Sequence, residues 1–110
     1  MSGQGQERLT EMWPQAFDLK NPRPLAVGIT DAITAELAKT GAGGRGPVRY
    51  AIRSYTSNIR YIQALAAYGA RYNLLGKPEG EVTAEQRERA ALVLKMIKIN
   101  KTIFIYEVSA

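Results

Sequence analysis

The sequence predicts a mainly α-helical domain with one small β-hairpin, an α+β fold in a single domain over residues 8–110, and three observations carry that reading. Residues 48–62 repeat apolar side chains at helical spacing. Thr83, with Gln86 three residues later, is a capping-box signature ahead of a second apolar-periodic run. Between these two, Arg71 to Leu74, Leu75 to Pro78 and Glu79 to Val82 read as strand, turn and strand. At 110 residues the chain has room for one modest core.

Residues 1–7 are polar and Gly-rich and are expected to be a disordered N-terminal segment. Residues 8–17 predict a short helix with Leu9, Met12, Trp13 and Phe17 on one apolar face, interrupted at Pro14. Asn21-Pro22-Arg23-Pro24 is a stiff connector, because each proline restricts itself and its predecessor. A second helix is predicted from an N-cap at Thr30, with Asp31 at the positive dipole end, to Lys39, stopping at Gly41. The Gly-rich loop 41–46 lacks the lysine and following Ser/Thr of a phosphate-cradling loop, so it reads as a hinge.

Pro47 suits the first turn of a third helix over 47–65. With Val48 at zero and about 100° per residue, Ile52, Tyr55, Ile59 and Ile62 fall within about 40° of it. Arg49, Arg53 and Arg60 fall at about 100°, 140° and 120°, and Thr56 at about 80°. An arginine stripe therefore borders the buried stripe, and Thr56 can donate to a phosphate. Tyr55 lies on the apolar side, and Tyr61, at about −140°, points away from the arginines. The last helix is expected over 84–100 with Ala90, Ala91, Val93, Leu94 and Ile97 inward. Residues 102–108 are β-branched and aromatic, and suit either a third strand or a continued helix.

Charge is distributed unevenly. Between Glu36 and Glu79 there is no acid, while Lys39, Arg45, Arg49, Arg53, Arg60, Arg71 and Lys77 supply seven positive charges. The net charge of +5 comes from this one region. Such a field attracts a polyanion, and arginine's planar fork suits phosphate. Tyr50, Tyr55, Tyr61, Tyr68 and Tyr72 are interleaved with these cations, which suits unpaired bases. A merely solubilising face would mix both signs.

The absence of Cys and His removes disulfides, thiolate and imidazole metal sites and the commonest catalytic bases. Glu79, Glu81 and Glu85, with no His or Asp partner nearby, read as solvated acids rather than metal ligands. The expectation is thus a non-enzymatic protein with no cofactor, no metal and no small-molecule substrate. No apolar run reaches the ~20 residues needed to span a bilayer. The start MSGQGQERLTEM lacks a signal-peptide core, so a cytoplasmic location and no membrane partner are expected. A monomer is the simplest assembly.

Three segments together resemble the FinO/ProQ family of RNA-binding domains. They are Trp13-Pro14-Gln15-Ala16-Phe17 followed by Arg23-Pro24-Leu25-Ala26-Val27-Gly28-Ile29, then Val48 to Ser57 ending in Arg60-Tyr61, then Gly69 to Leu74 with Gly80-Glu81-Val82. The resemblance implies a small helical domain with a hairpin, acting as an RNA chaperone in bacteria. It implies binding to the stem of an intrinsic-terminator-like hairpin and its single-stranded 3′ tail, in post-transcriptional regulation by small RNAs. Position by position, it implies that Arg45, Arg49, Arg53, Tyr61 and Arg71 contact RNA, and that Tyr55-Thr56-Ser57 sits near a pocket for the 3′ end. Arg60 joins the expected set as a stripe member. The chain departs from the family at Ala26, where a lysine is common, and at Ile59, where some members carry tryptophan. Two competing readings are a DNA-binding helical domain and an adaptor for an acidic protein. Major-groove readers usually offer Asn or Gln beside Arg, whereas the exposed face of 47–65 has mostly Arg, Ser and Thr.

Overall fold

A computed structural model describes the backbone of residues 2–41 and 45–109 and the side chains of residues 5–41 and 45–98. The elements are α1 (Ser2–Met12), α2 (Ile29–Lys39), α3 (Arg45–Thr56), α4 (Ile59–Ala67), β1 (Ala70–Tyr72), β2 (Pro78–Glu81) and α5 (Ala84–Ser109). The predicted mainly helical fold with a hairpin is what forms. Several boundaries differ for local physical reasons.

The first helix begins at Ser2 and ends at Met12 instead of covering 8–17, so residues 2–7 are helical in backbone rather than disordered. Tertiary packing overrides the poor propensity of its glycines. A Cβ at Gly5 would meet the Ala51 Cβ at 3.1 Å, so the missing side chain lets α1 lie close on α3. Leu9 is buried, but Met12 is exposed, and Phe17 enters the core from the turn that follows Trp13. The N-cap of α2 is Gly28, not Thr30. Its φ of 84° is left-handed, a conformation costly for any residue with a Cβ. Thr30 lies inside the helix and its carbonyl accepts the Thr34 hydroxyl at 2.8 Å. Of the predicted hinge at 41–46, residues 42–44 lie outside the described residues, and Arg45 and Gly46 already belong to α3. Pro47 is tolerated there because the first-turn N–H groups have no intrahelical acceptor.

The predicted single helix over 47–65 is two helices. Thr56 and Ser57 hydroxyls both turn back to the Arg53 carbonyl, at 3.3 and 2.7 Å. Asn58 then takes an extended conformation and its side chain accepts the Arg60 N–H at 2.9 Å. Short polar side chains thus end one helix and cap the next. The break resets the helical phase. Tyr61 and Ala64 face the core, Arg60 leaves the α3 stripe, and Ile59 is exposed.

The core gathers Phe17, Leu25, Ile33, Val48, Tyr55 and Tyr61. Tyr55 is 1% exposed, and its ring meets Phe17 edge-on at 5.1 Å. Its hydroxyl accepts the Asp18 N–H at 3.0 Å and donates to the Asp18 carbonyl at 3.1 Å. The Tyr61 hydroxyl accepts the Leu25 N–H at 3.0 Å. These two tyrosines therefore tie the chain before α2 to α3 and α4.

Burial pushes the Tyr55 phenol up to about 12, and raises Tyr61 as well. The folded state therefore holds these protons more tightly than the unfolded state does. The Tyr55 contribution is complete below about pH 10 and is lost as pH rises through about 12. Wild-type protein is expected to lose stability steeply across that window, whereas Tyr55→Phe is less stable at pH 7 and shows a shallower alkaline loss. Denaturant midpoints at pH 7, 10 and 11.5 check this. Equal slopes in both proteins would contradict it.

β1 and β2 pair antiparallel, with Ala70 opposite Glu81 and Tyr72 opposite Pro78. Asn73 shapes the turn, its side-chain oxygen accepting the Leu75 and Lys77 N–H groups. Beyond the hairpin, the Ala26 N–H bonds the Tyr72 carbonyl and the Tyr72 N–H bonds the Pro24 carbonyl, each at 2.8 Å. The chain before α2 so becomes a short parallel neighbour of β1. The capping box forms as predicted, Thr83 N–H to Gln86 Oε1 at 3.0 Å and Gln86 N–H to Thr83 Oγ1 at 3.1 Å. From this cap α5 runs helical to Ser109, through the 102–108 stretch that also suited a strand. Ala90 is buried against α4, with Leu94 and Ile97 partly so, while Ala91 and Val93 face outward.

Candidate nucleic-acid interface

An open groove of about 710 Å³ lies along α3, lined by Arg49, Tyr50, Ile52, Arg53 and Thr56 with Gly46 and Thr30. Its residues follow from the helix. Val48, Ala51 and Tyr55 pack inward, so Arg49 and Arg53, one turn apart, stand together at the border of that packing. Both arginines are exposed, and neither has an ion pair or side-chain hydrogen bond among the described residues. Among the described residues no acidic side chain lines the groove. Two guanidinium groups, two threonine hydroxyls and the Tyr50 phenol thus share one surface.

Tyr50 and Thr30 complete this surface, although neither belongs to the residue set expected from the sequence. Tyr50 is 60% exposed. Two residues after Val48, it lies about 200° from the core stripe, and that phase is the signal for it. Thr30 carried no such signal, because its place depends on how α2 packs on α3.

The remaining expected residues separate into four groups. Arg45 begins α3 and pairs with Asp31 of α2, both side chains being largely exposed. Exposed pairs of this kind are weak and open readily to a better anion. Thr56 and Ser57 stand at the end of α3, their hydroxyl protons given to the Arg53 carbonyl, which leaves their oxygens as acceptors. Arg60 lies on α4, and its Nη1 reaches the Lys20 carbonyl at 3.4 Å. It is not part of the groove.

Tyr55, Tyr61 and Arg71 are structural in this fold. Both tyrosines are buried with hydroxyls committed to backbone groups, so neither ring offers a face to a base. Arg71 of β1 donates Nη1 to the Leu25 carbonyl at 2.8 Å, Nη2 to Gln86 Oε1 at 3.0 Å and Nε to the Glu81 carbonyl at 3.3 Å. One side chain joins the hairpin, the segment before α2 and the start of α5. The start of α5 is a closed cap, in which Gln86 Oε1 also holds Arg71.

The model of the family described as ProQ/FINO matches residues 5–102, nearly the whole chain and every element that builds the groove. The chain belongs to the ProQ/FINO family. It is 34% identical over 91 residues to the RNA chaperone ProQ of Histophilus somni, covering 82% of this chain and 43% of that one. It is 35% identical over 91 residues to the RNA chaperone ProQ of Aeromonas salmonicida, again covering 82% of this chain and 43% of that one. The chain thus spans less than half the length of these curated relatives. Among solved structures it superposes on a FinO-like RNA chaperone of Neisseria meningitidis with a TM-score of 0.65 and 25% identity, over 82% of this chain and 74% of the other. A ProQ homologue from Legionella pneumophila shares the fold, with a TM-score of 0.69 over 86% of this chain and 81% of the other. Five helices with a two-stranded hairpin are therefore a ProQ/FINO architecture. Among the described residues, no helix is long and apolar enough to cross a membrane.

Proposed function

We propose that this domain binds structured RNA and acts as an RNA chaperone, as its curated relatives are named. The observation that carries the reading is the groove in which Arg49 and Arg53, with no ion pair among the described residues, stand beside two threonine hydroxyls and Tyr50. An RNA duplex hides its base edges and is gripped through phosphates and ribose hydroxyls, which suits two arginines one helical turn apart. Arg45, at the start of the same helix, can exchange Asp31 for a phosphate and extend that grip. The exposed α3 groove offers no Asn or Gln for reading a DNA major groove.

The finer reading is a preference for intrinsic-terminator-like hairpins with a single-stranded 3′ tail, serving regulation by small RNAs in the bacterial cytoplasm. It rests on the family relationship and on Thr56 and Ser57, whose oxygens at the end of the groove can accept a hydrogen bond from a terminal hydroxyl. Titrating three hairpins tests it: one with a free 3′ tail, one 3′-phosphorylated, one without the tail. The tailed hairpin with a free hydroxyl is expected to bind tightest, by about tenfold, the cost of one lost hydrogen bond or one misplaced charge. Equal affinity for all three would reduce the interaction to electrostatic capture of any RNA.

A further inference from the structure

A second cationic surface lies on α4 and shares no lining residue with the α3 groove. It is an open depression of about 300 Å³ whose lining includes Lys20, Asn21, Arg60, Gln63, Ala67 and Tyr68. Arg60, Gln63 and Ala67 are at i, i+3 and i+7 of α4, so one helix face forms the floor. The 18–21 loop forms one wall. The Asp18 carboxylate accepts the Lys20 and Asn21 N–H groups at 2.8 and 3.0 Å, which shapes the loop. Those two bonds hold that carboxylate below the usual range, turned to its own backbone. Tyr55 anchors the same residue from the core, and Arg60 holds the Lys20 carbonyl.

Tyr68 forms the far wall. It caps α4, its N–H bonded to the Ala64 carbonyl at 2.8 Å. Its ring stands edge-on to Tyr72 at 6.3 Å, and Tyr72 in turn lies under the Arg23 guanidinium at 4.1 Å. The ring is thus braced from behind while remaining 36% exposed. Among the described residues no acidic side chain lines the depression. Neither Lys20 nor Arg60 has an ion pair among the described residues, and Arg60 uses only one side-chain N–H in a hydrogen bond there.

We propose that this depression is a second RNA subsite, which takes an unpaired nucleotide with its base against Tyr68 and its phosphate between Arg60 and Lys20. The proposal rests on the RNA-binding reading of the α3 groove and adds a contact of a different kind. A braced aromatic ring is useless to a paired base, whose faces are covered, and useful to an unpaired one. The Gln63 amide can meet a base edge of either polarity, which gives little sequence preference. A domain with a stem on α3 and a strand on α4 can hold paired and unpaired RNA at once.

Fluorescence anisotropy with two probes tests this, one a labelled eight-residue oligouridylate, the other a blunt hairpin with no tail. Arg60→Ala and Tyr68→Leu are each expected to weaken the oligouridylate about tenfold, with unchanged melting curves. Tyr68→Phe keeps the ring and should keep the affinity. Arg60→Ala should also reduce the salt slope for the oligouridylate by about 0.7. Hairpin affinity is expected to stay within about twofold in all three variants. Wild-type affinity of Arg60→Ala and Tyr68→Leu for the oligouridylate would overturn the subsite while leaving the α3 reading intact, provided Arg49→Ala still loses the hairpin. Equal losses for both probes would also overturn it, because the depression would then not distinguish unpaired from paired RNA. If wild-type protein binds neither probe, the RNA reading itself fails and the subsite with it.

Discussion

Replacing Arg49 and Arg53 together with alanine is expected to lower affinity for a structured RNA about a hundredfold, while the melting temperature stays almost unchanged. Each guanidinium is exposed and has no ion pair among the described residues, so its removal costs the fold little. Each charge-assisted contact to phosphate contributes roughly 1.5–3 kcal/mol, so two together give about two orders of magnitude or more. Phosphate contacts also release counterions. The slope of log affinity against log salt should therefore fall by about 2 in the double variant and about 1 in each single one. Because phosphates carry no sequence, the loss should be similar for hairpins of unrelated sequence. A double variant with wild-type affinity and slope would remove α3 from the interface.

Arg71→Ala is expected to act first on stability. The family resemblance implies that Arg71 contacts RNA, and the three bonds from its guanidinium give it a role in the fold as well. It joins β1 to the Leu25 carbonyl, to β2 and to the capping glutamine of α5, adding side-chain ties to the backbone bonds that link β1 to β2 and to the chain before α2. The part-buried charge-assisted bond to the Leu25 carbonyl, with the two exposed bonds beside it, makes the loss about 2–3 kcal/mol. In a domain of this size that lowers the melting temperature by about 10 °C or more. Arg71→Lys retains a cation but not the fork, and should recover less than half. Calorimetry of the three proteins checks this. A melting temperature within about 2 °C of wild type for Arg71→Ala would mean that its bonds are readily replaced by water.

The same arginine shows why part of the site was not legible in the sequence. A residue's charge is written in the chain, but its partners are not, since Leu25 and Gln86 reach Arg71 only through the tertiary fold. Arg49, Arg53 and Thr56 were legible as one polar edge because a single regular helix carries both that edge and the core stripe. Tyr55 was legible as core for the same reason. Arg60 and Tyr61 were misplaced because the ideal helix was carried through Thr56-Ser57-Asn58, three side chains that each compete for backbone bonds. That triplet is a legible stop signal, and reading it as one would have placed Tyr61 inward. The hairpin and the Thr83 capping box were legible because turns and caps are specified locally. The early start of α1 was not, because it depends on Gly5 fitting against Ala51 of another helix.

The central claim is that the α3 groove is where RNA lies. Its most direct measurement is the nuclear magnetic resonance spectrum of the arginine Nε–H and backbone amides as a tailed terminator-like hairpin is added. Perturbation is expected at the side chains of Arg49 and Arg53 and at the amides of Thr30, Tyr50 and Thr56, weakening as salt is raised. Saturable binding of the hairpin that leaves those five residues unperturbed would contradict the claim.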